Sequence, residues 1–153
     1  MDLIFWRHAE AEDEVEGQDD LQRALTPRGE KQAQRMAQWL DRQLPESARV
    51  LCSPALRCEQ TVLPLGRKYK LVEEIAPDAR APAVLKAAQW PDSRHPVVLV
   101  GHQPTLGQAI AQLLGLKHDN CAIRKGAVWW LRTRERDGHQ QTVVVAVQSP
   151  DVL

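Results

Sequence analysis

Basic and imidazole side chains follow three apolar runs of this sequence. Arg7 and His8 come directly after the run LIFW, and Arg57 lies a few residues past the run RVLC. His102 comes directly after the run VVLVG. If the three runs are strands of one parallel sheet, their carboxyl ends meet at one edge of that sheet, where such folds bind ligands. The sequence therefore predicts that two imidazoles and two guanidiniums converge at this edge.

A cluster of this kind is suited to a phosphate group. Guanidinium forks match phosphate oxygens in geometry and charge. Helices are predicted to start after Ser53 and after Gln103, so two helix N-termini would add unpaired N–H groups at the same edge. The histidines add a candidate nucleophile and a further hydrogen-bond donor. The sequence has neither a Walker-type glycine loop nor Cys and His residues clustered at zinc-ligand spacing, so no metal site is predicted.

The elements that must position these residues alternate between strands and helices. Strands are predicted at 2–6, 49–52, 71–72, 97–101, 127–133 and 142–148. Helices are predicted at 27–44, 54–69, 82–90 and 104–114, and the polar stretch 9–25 is predicted to be a loop. This alternation favours an α/β fold, a three-layer sandwich with a mostly parallel central sheet and helices on both faces.

Length and composition exclude several classes of protein. The 153 residues suit a single domain spanning 1–153. Basic and acidic residues number 20 each, so the net charge is zero and gives no general attraction to nucleic acid or to an anionic membrane. No apolar run is long enough for a transmembrane helix, and no basic signal-peptide region precedes the first strand. Three cysteines without paired spacing fit a reducing cytoplasm.

Three motifs make the sequence resemble the histidine phosphatase superfamily, which has an Arg-His-Gly type motif. They are RHA at 7–9, SPALRCEQT at 53–61 and GHQP at 101–104, and they occur in the family's order. LTPRGEKQA at 25–33 and VLVGHQPTLG at 98–107 are similar to the SixA-type phosphohistidine phosphatase branch in particular. The resemblance implies a phosphoglycerate mutase-like fold without a large cap insertion, and a metal-independent phosphatase that uses no cofactor.

The resemblance also implies a role for each site residue. His8 would attack phosphorus and carry the phosphoryl group, while Arg7 and Arg57 would hold its oxygens. His102 would donate a hydrogen bond to the phosphoryl group, and Arg23 would be an additional phosphate contact. Water would then hydrolyse the adduct and release inorganic phosphate.

Two features of the sequence around His8 affect its suitability as a nucleophile, namely the nearby arginines and the residue that follows it. The neighbouring guanidinium charges are expected to lower the pKa of His8 and keep a nitrogen lone pair free. Ala9 stands where the broad family prefers glycine, and alanine does not easily take a positive φ. The SixA-type resemblance implies that alanine is an accepted choice there.

The substrate class depends on the leaving group. An alkoxide requires an acid, and family members that cleave esters usually carry one in an insertion that this short chain lacks. Imidazole, with a pKa of about 6.5, leaves far more easily. We therefore expect phosphohistidine on a partner protein, a phosphotransfer domain or a phosphocarrier. The alternatives are a small-molecule phosphomonoesterase with Glu73, Glu74 or Asp78 as the acid, and a phosphoprotein-binding module without turnover.

Two further interpretations concern charged residues near the motifs. Glu59 is interpreted either as a carboxylate that positions Arg57 or as an ordinary surface charge. The acidic stretch 10–20 is interpreted as a solvated loop. A sharper hypothesis makes it a collar that repels small acidic metabolites and admits basic protein surfaces.

Overall fold

The computed structural model describes all residues from Met1 to Leu153, and a single six-stranded sheet forms its centre. The strands are β1 (Asp2–Arg7), β2 (Arg49–Cys52), β3 (Lys70–Leu71), β4 (Val97–Gly101), β5 (Val128–Arg136) and β6 (His139–Gln148). Their order across the sheet is β3-β2-β4-β1-β5-β6.

The first four strands in this order run parallel, and the last two form an antiparallel hairpin. β4 lies between β2 and β1 and pairs with both in parallel register. All five residues of β4 are buried, as expected for a central parallel strand that is covered on both faces. β1, β2 and β4 therefore end at the same edge, which is the arrangement the sequence predicts.

Four α-helices cover the two faces of the sheet. They are α1 (Pro27–Gln43), α2 (Leu56–Val62), α3 (Ala81–Ala87) and α4 (Thr105–Leu114). α1 begins as predicted, since the Thr26 side chain accepts a hydrogen bond from the amide of Gly29 and Pro27 occupies the first helical position. No helix is both long and apolar enough to cross a membrane.

Two hydrophobic cores, one on each face, hold the three layers together. Phe5 packs with α3 and α4 on one face, and its neighbour Trp6 packs with α1 and α2 on the other. Successive side chains of a strand point to opposite faces, so one apolar run serves both cores. Neither ring is exposed to solvent. The predicted three-layer α/β sandwich is confirmed.

Several of the predicted element boundaries are wrong. The helix predicted at 54–69 starts only at Leu56 and ends at Val62, followed by a 3-10 turn over Leu63–Leu65 and by Gly66 with a φ of 70°. Pro64 has no N–H to continue the helical ladder, which accounts for the early end.

Further differences lie elsewhere along the chain. β3 is Lys70–Leu71 rather than 71–72, and α3 ends at Ala87 rather than at 90. β5 ends at Arg136 rather than at 133, and β6 begins at His139 rather than at 142. The stretch 9–25 contains a 3-10 turn over Asp20–Gln22, in which the Asp19 side chain accepts from the amide of Leu21. No large insertion separates α2 from β4, as predicted.

Candidate active site

The two histidines meet because β1 and β4 are paired neighbours. Arg7, the last residue of β1, pairs with Gly101, the last residue of β4. The amide of His8 donates to the carbonyl of Gly101 at 3.0 Å. His8 and His102 therefore leave the sheet side by side, and their ring centroids lie 5.3 Å apart. The predicted convergence of the two imidazoles is confirmed.

His8 is held with one ring nitrogen free. Its Nδ1 lies 2.7 Å from the backbone carbonyl of Ala9, which can only accept, so Nδ1 carries the proton of the neutral ring and Nε2 keeps its lone pair. Burial is the main reason why the pKa of His8 falls to about 4, and the charges of Arg57 and Arg7 add to the effect. The predicted direction is thus found, although desolvation is a larger cause than the arginines.

The backbone after His8 accommodates alanine without strain. Ala9 has no positive φ, and its amide donates to the Thr61 hydroxyl at 3.0 Å. Its side chain is fully buried beside Leu25 and Ala33. The departure from the family's glycine therefore does not disturb the turn that presents the His8 ring.

His102 is buried and faces two different partners. Its Nε2 lies 2.7 Å from the hydroxyl oxygen of Ser53, and its Nδ1 lies 3.4 Å from Nη2 of Arg57. Burial, followed by the proximity of His8 and Arg57, lowers the pKa of His102 to about 3. His102 is therefore neutral at neutral pH and acts as a donor only through the nitrogen that carries its single proton.

Arg57 is held by a residue that the sequence reading missed. The side chain of Arg57 is 3% exposed. Its Nη1 donates to the carbonyl of Asp20 at 2.7 Å, and its Nη2 donates to the Asp20 carboxylate at 3.0 Å. The other carboxylate oxygen of Asp20 accepts from Nε of Arg23 at 2.8 Å. Asp20 therefore bridges two guanidiniums.

Charge explains why Asp20 stays ionised in this position. Partial burial raises the pKa of its carboxyl, but the hydrogen bonds and charges of Arg23 and Arg57 outweigh burial and hold the pKa below its ordinary value. The interpretation of Glu59 as the group that positions Arg57 is wrong, because its carboxylate accepts from the hydroxyl of Tyr69 at 3.0 Å instead. The spacing Asp20-x-x-Arg23 was the available signal, since residues three apart meet on one helical turn.

The two arginines also leave buried donors unused. Nη1 of Arg7 donates to the carbonyl of Ile123 at 2.7 Å, which ties the end of β1 to the segment before β5. The Nε atoms of Arg7 and Arg57 are buried without any partner. Unpaired buried donors are costly, and a bound oxyanion would supply acceptors to this cluster of cations.

A pocket opens over these residues. It is lined by the five predicted side chains and eight other residues: Arg7, His8, Arg23, Arg57 and His102, with Ala11, Asp13, Glu14, Asp20, Pro77, Asp78, Gln103 and Lys125. Of the three carboxylates considered as an acid, only Asp78 lines the pocket, whereas Glu73 and Glu74 do not. α2 contributes Arg57 from its first turn. At the start of α4, the amides of Leu106 and Gly107 already donate to the His102 carbonyl and to the Gln103 side chain, so neither of these N–H groups is unpaired as predicted.

Known proteins are similar to this chain in sequence and in fold. The profile of the histidine phosphatase superfamily (branch 1) matches residues 3–80. The phosphohistidine phosphatase SixA homolog of Haemophilus influenzae is 31% identical over 133 residues, which cover 77% of this chain and 80% of that protein. Phosphohistidine phosphatase SixA of Escherichia coli is 31% identical over 121 residues, 74% of each chain.

A solved structure extends the similarity to the whole fold. The structure of the protein histidine phosphatase SixA complexed with tungstate superposes with a TM-score of 0.82 at 26% identity, covering 99% of both chains. The sequence profile spans half of the present chain, and the two relatives match about three quarters of it. The chain therefore belongs to the histidine phosphatase superfamily, in its SixA branch, and is a phosphatase.

Proposed function

We propose that this phosphatase removes the phosphoryl group from phosphohistidine on a partner protein, through a phospho-His8 intermediate and without a metal or a cofactor. The observation that carries the proposal is the protonation state of the His8 ring. Its Nδ1 proton is engaged by the Ala9 carbonyl, so a neutral Nε2 lone pair is free beside the guanidiniums.

The reaction has two steps. In the first, the phosphohistidine ring of the substrate takes up a proton from solvent on its free nitrogen, Nε2 of His8 forms a bond to phosphorus, and the bond between phosphorus and the substrate ring breaks so that neutral imidazole leaves. In the second, water attacks phosphorus and the bond to Nε2 breaks, which releases inorganic phosphate, a proton and neutral His8. Covalent catalysis of this kind divides one displacement into two easier ones.

The remaining residues of the site supply positioning and charge. Arg7 and Arg57 hold the non-bridging oxygens, His102 donates to one of them, and Arg23 adds a contact at the pocket edge. These groups stabilise the charge that spreads over the oxygens during transfer, which is most of what phosphoryl transfer requires. No step of this scheme needs a metal ion.

Two features support phosphohistidine over a phosphate ester. The short segment between α2 and β4 leaves the pocket uncapped, so a side chain on another protein can enter. An imidazole leaving group also needs no strong acid. The named relatives are phosphohistidine phosphatases, which agrees with this choice. We propose a phosphotransfer domain or a phosphocarrier as the partner, and the cytoplasm as the compartment, since all three cysteines are free thiols.

A phosphomonoesterase is the second candidate, and one observation favours it. Asp78 lines the pocket and is exposed, so its carboxylic acid form is placed to protonate a leaving alkoxide. This candidate predicts that Asp78→Asn lowers the rate on a phosphate ester while the rate on phosphohistidine stays within about twofold of the native rate. The phosphohistidine proposal predicts a poor rate on esters with or without Asp78.

The decisive experiment is a rapid-quench reaction with a protein phosphorylated on histidine, followed by mass spectrometry of the His8 peptide under alkaline conditions. We expect an acid-labile phosphoryl group on His8 that forms and decays in step with inorganic phosphate release. His8→Asn should abolish both, whereas His118→Asn, at an exposed histidine, should change neither. Chelators should have no effect. Turnover with no adduct on His8 would refute the mechanism.

Protein binding without turnover would support the binding-module alternative. Faster turnover of small phosphate esters than of the phosphoprotein would refute the substrate assignment and leave the His8 mechanism intact.

A further inference from the structure

The hydroxyl of Ser53 is fully buried directly behind the site and does not line the pocket. It follows β2, just as His102 follows β4. β2 and β4 are paired, and the amide of Ser53 donates to the carbonyl of Val100 at 2.9 Å. This pairing brings the Ser53 hydroxyl oxygen to 2.7 Å from Nε2 of His102. The contact is therefore built by the sheet rather than by a mobile loop.

The available protons decide the direction of this hydrogen bond. The amide of Ala55 donates to the Ser53 oxygen at 3.2 Å, and an amide can only donate. The hydroxyl still has its own proton, and Nε2 is the nearest acceptor. If Nε2 carried the ring proton instead, the Ser53 proton would lose this acceptor inside the protein, which is costly.

A second protonated group faces the same nitrogen. The sulfur of Cys58 lies 3.5 Å from Nε2 of His102. Burial raises the pKa of the Cys58 thiol to about 12, so it stays protonated. Nε2 thus lies against one hydroxyl and one thiol, each of which carries a proton that it can donate to this nitrogen. A ring nitrogen between two donors is best satisfied as an acceptor.

The other nitrogen of His102 faces the pocket. Nδ1 lies next to Nη2 of Arg57, a lining residue, at 3.4 Å. Nη2 donates one N–H to Asp20 and points its other N–H at Nδ1, but at 3.4 Å this second hydrogen bond is long and weak beside the 2.7 Å contact between Nε2 and Ser53. Nδ1 is therefore the nitrogen through which His102 can reach a phosphoryl oxygen, provided that Nδ1 carries the proton.

We propose that Ser53 is a positioning residue: its hydroxyl donates to Nε2 of His102 and thereby holds the ring in the tautomer that carries its proton on Nδ1. Nδ1–H then donates to the phosphoryl oxygen during transfer. The inference rests on the proposed role of His102 as the donor. The ring is neutral at working pH, so the tautomer decides whether the ring presents a proton or a lone pair to the substrate.

The test is nitrogen NMR of His102 in the full-length protein, combined with single-turnover phosphorylation of His8. In the native protein we expect a pyrrole-type Nδ1 and a pyridine-type Nε2. Ser53→Ala should shift the ring toward the Nε2–H tautomer and slow phosphorylation about tenfold. His102→Ala should slow it by about 10²–10³, as for the loss of one donor to a developing oxyanion. Ser53→Thr, which retains a hydroxyl, should restore the native tautomer and rate.

A matched control separates this effect from the general loss of a buried hydroxyl. Thr133 is also buried and bonded through its hydroxyl, but it lies near the far end of the sheet. Thr133→Val should leave the tautomer and the phosphorylation rate unchanged. If Ser53→Ala keeps the Nδ1–H tautomer, the Ser53 proposal is overturned. If His102→Ala keeps the native rate, the proposed role of His102 fails, whatever the tautomer is.

The amide spectrum of Ser53→Ala shows whether that variant is folded. Should it or the threonine variant unfold, the native tautomer alone still decides the proposal. A pyridine-type Nδ1 in the native protein would overturn it.

Discussion

The inner wall and the outer rim of the pocket differ in almost every physical respect. We define the wall as His8, Arg57 and His102 together with Ser53 directly behind them, which are all buried, and the rim as Asp13, Glu14, Asp78 and Lys125, which are all exposed. Each wall residue follows a strand of the parallel sheet or lies in the first turn of a helix, and each has a defined hydrogen-bond partner. The rim residues lie in connecting segments, and none of them forms an ion pair.

The comparison indicates that the chemistry depends on the wall residues, whereas the choice of substrate depends on the rim residues. Burial removes water from the wall, so fixed donors and charges act strongly on a phosphoryl group. Exposed charges on the rim are screened and act mainly on the approach of a partner. Changes to the wall should therefore affect every substrate equally, whereas changes to the rim should affect protein substrates most.

The largest effect should come from the wall at Arg57. Arg57→Ala removes a buried cation of the pocket that, in the proposed mechanism, holds the phosphoryl oxygens, so we expect kcat to fall by about 10²–10³ on a phosphohistidine protein and on a small aryl phosphate alike. Arg57→Lys should recover little, because an ammonium cannot replace the guanidinium fork. Steady-state kinetics on both substrates checks this, with Arg35→Ala, at an exposed position in α1, as the control. A loss confined to one substrate would contradict the separation.

Gly29 packs closely against the backbone of Glu10, in the segment that connects His8 of the wall to Asp13 of the rim. A side-chain carbon at this position would overlap the carbonyl oxygen of Glu10. Gly29→Ala should therefore push the segment that follows Ala9 away from α1 and lower the free energy of unfolding by about 1–3 kcal/mol. Urea denaturation measures the change, with the exposed helical variant Lys31→Ala as the control. A neutral effect would mean that α1 shifts as a whole to relieve the contact.

The pH dependence of stability should report the wall histidines. The folded-state pKa values of His8 and His102 are about 4 and about 3, and the unfolded value is about 6.5. Between these values the unfolded chain binds more protons, so stability is complete above about pH 6.5 and decreases as the pH falls toward 4. Each histidine adds up to about 1.4 kcal/mol per pH unit in that range.

Urea denaturation between pH 7 and pH 4 tests this dependence. Replacing both histidines with glutamine should flatten the curve, whereas replacing His95 and His118, which are exposed, should not. An unchanged slope in the double wall variant would contradict the burial of the two rings as neutral groups.

Asp20 stands between the two regions, since it is partly exposed yet bonded to buried Arg57. Asp20→Asn keeps the shape of the side chain but weakens its hold on Arg57 and Arg23. We expect kcat/KM to fall about tenfold on all substrates, because the misplaced cations stabilise the transferring group less well. Asp13→Asn, on the rim, is the matched control and should change the rate on a small phosphate by less than about twofold. Equal effects of the two variants would place Asp20 in the rim rather than at the wall.

The smallest effect is expected on the rim itself. Neutralising Asp13 and Glu14 together should change kcat/KM on a phosphohistidine protein by a few fold, in a salt-dependent way, and leave a small aryl phosphate unaffected. Rates at low and high ionic strength on both substrates measure this. Equal changes on the two substrates would remove the hypothesis that the acidic stretch 10–20 is a collar for protein partners.

Much of the wall was predictable because it follows from local patterns. Apolar runs that end in Arg7-His8 and in Gly101-His102 identify strands and the side chains at their carboxyl ends, and parallel pairing then brings those ends together. The end of α2 was predicted too late, although Pro64 and Gly66 are local signals for it in the sequence. Asp20 was missed because its spacing of three residues before Arg23 is a signal only within a helical turn, and the polar stretch 9–25 was predicted to be a loop.

Sequence patterns were enough to predict the alternation of strands and helices, the apolar face of each, and the four nitrogen-bearing side chains that lie at strand ends or, for Arg57, in the helix that follows a strand. These features depend on residues that are close together in the sequence, so the spacing of residue types is enough to predict them. The hydrogen-bond partners of those side chains depend on the three-dimensional packing. Arg57 bonds to Asp20 rather than to Glu59, His102 contacts the Ser53 hydroxyl, and His8 contacts the Ala9 carbonyl. Hydrogen bonds depend on distances of a few tenths of an ångström, which the packing of both cores sets together.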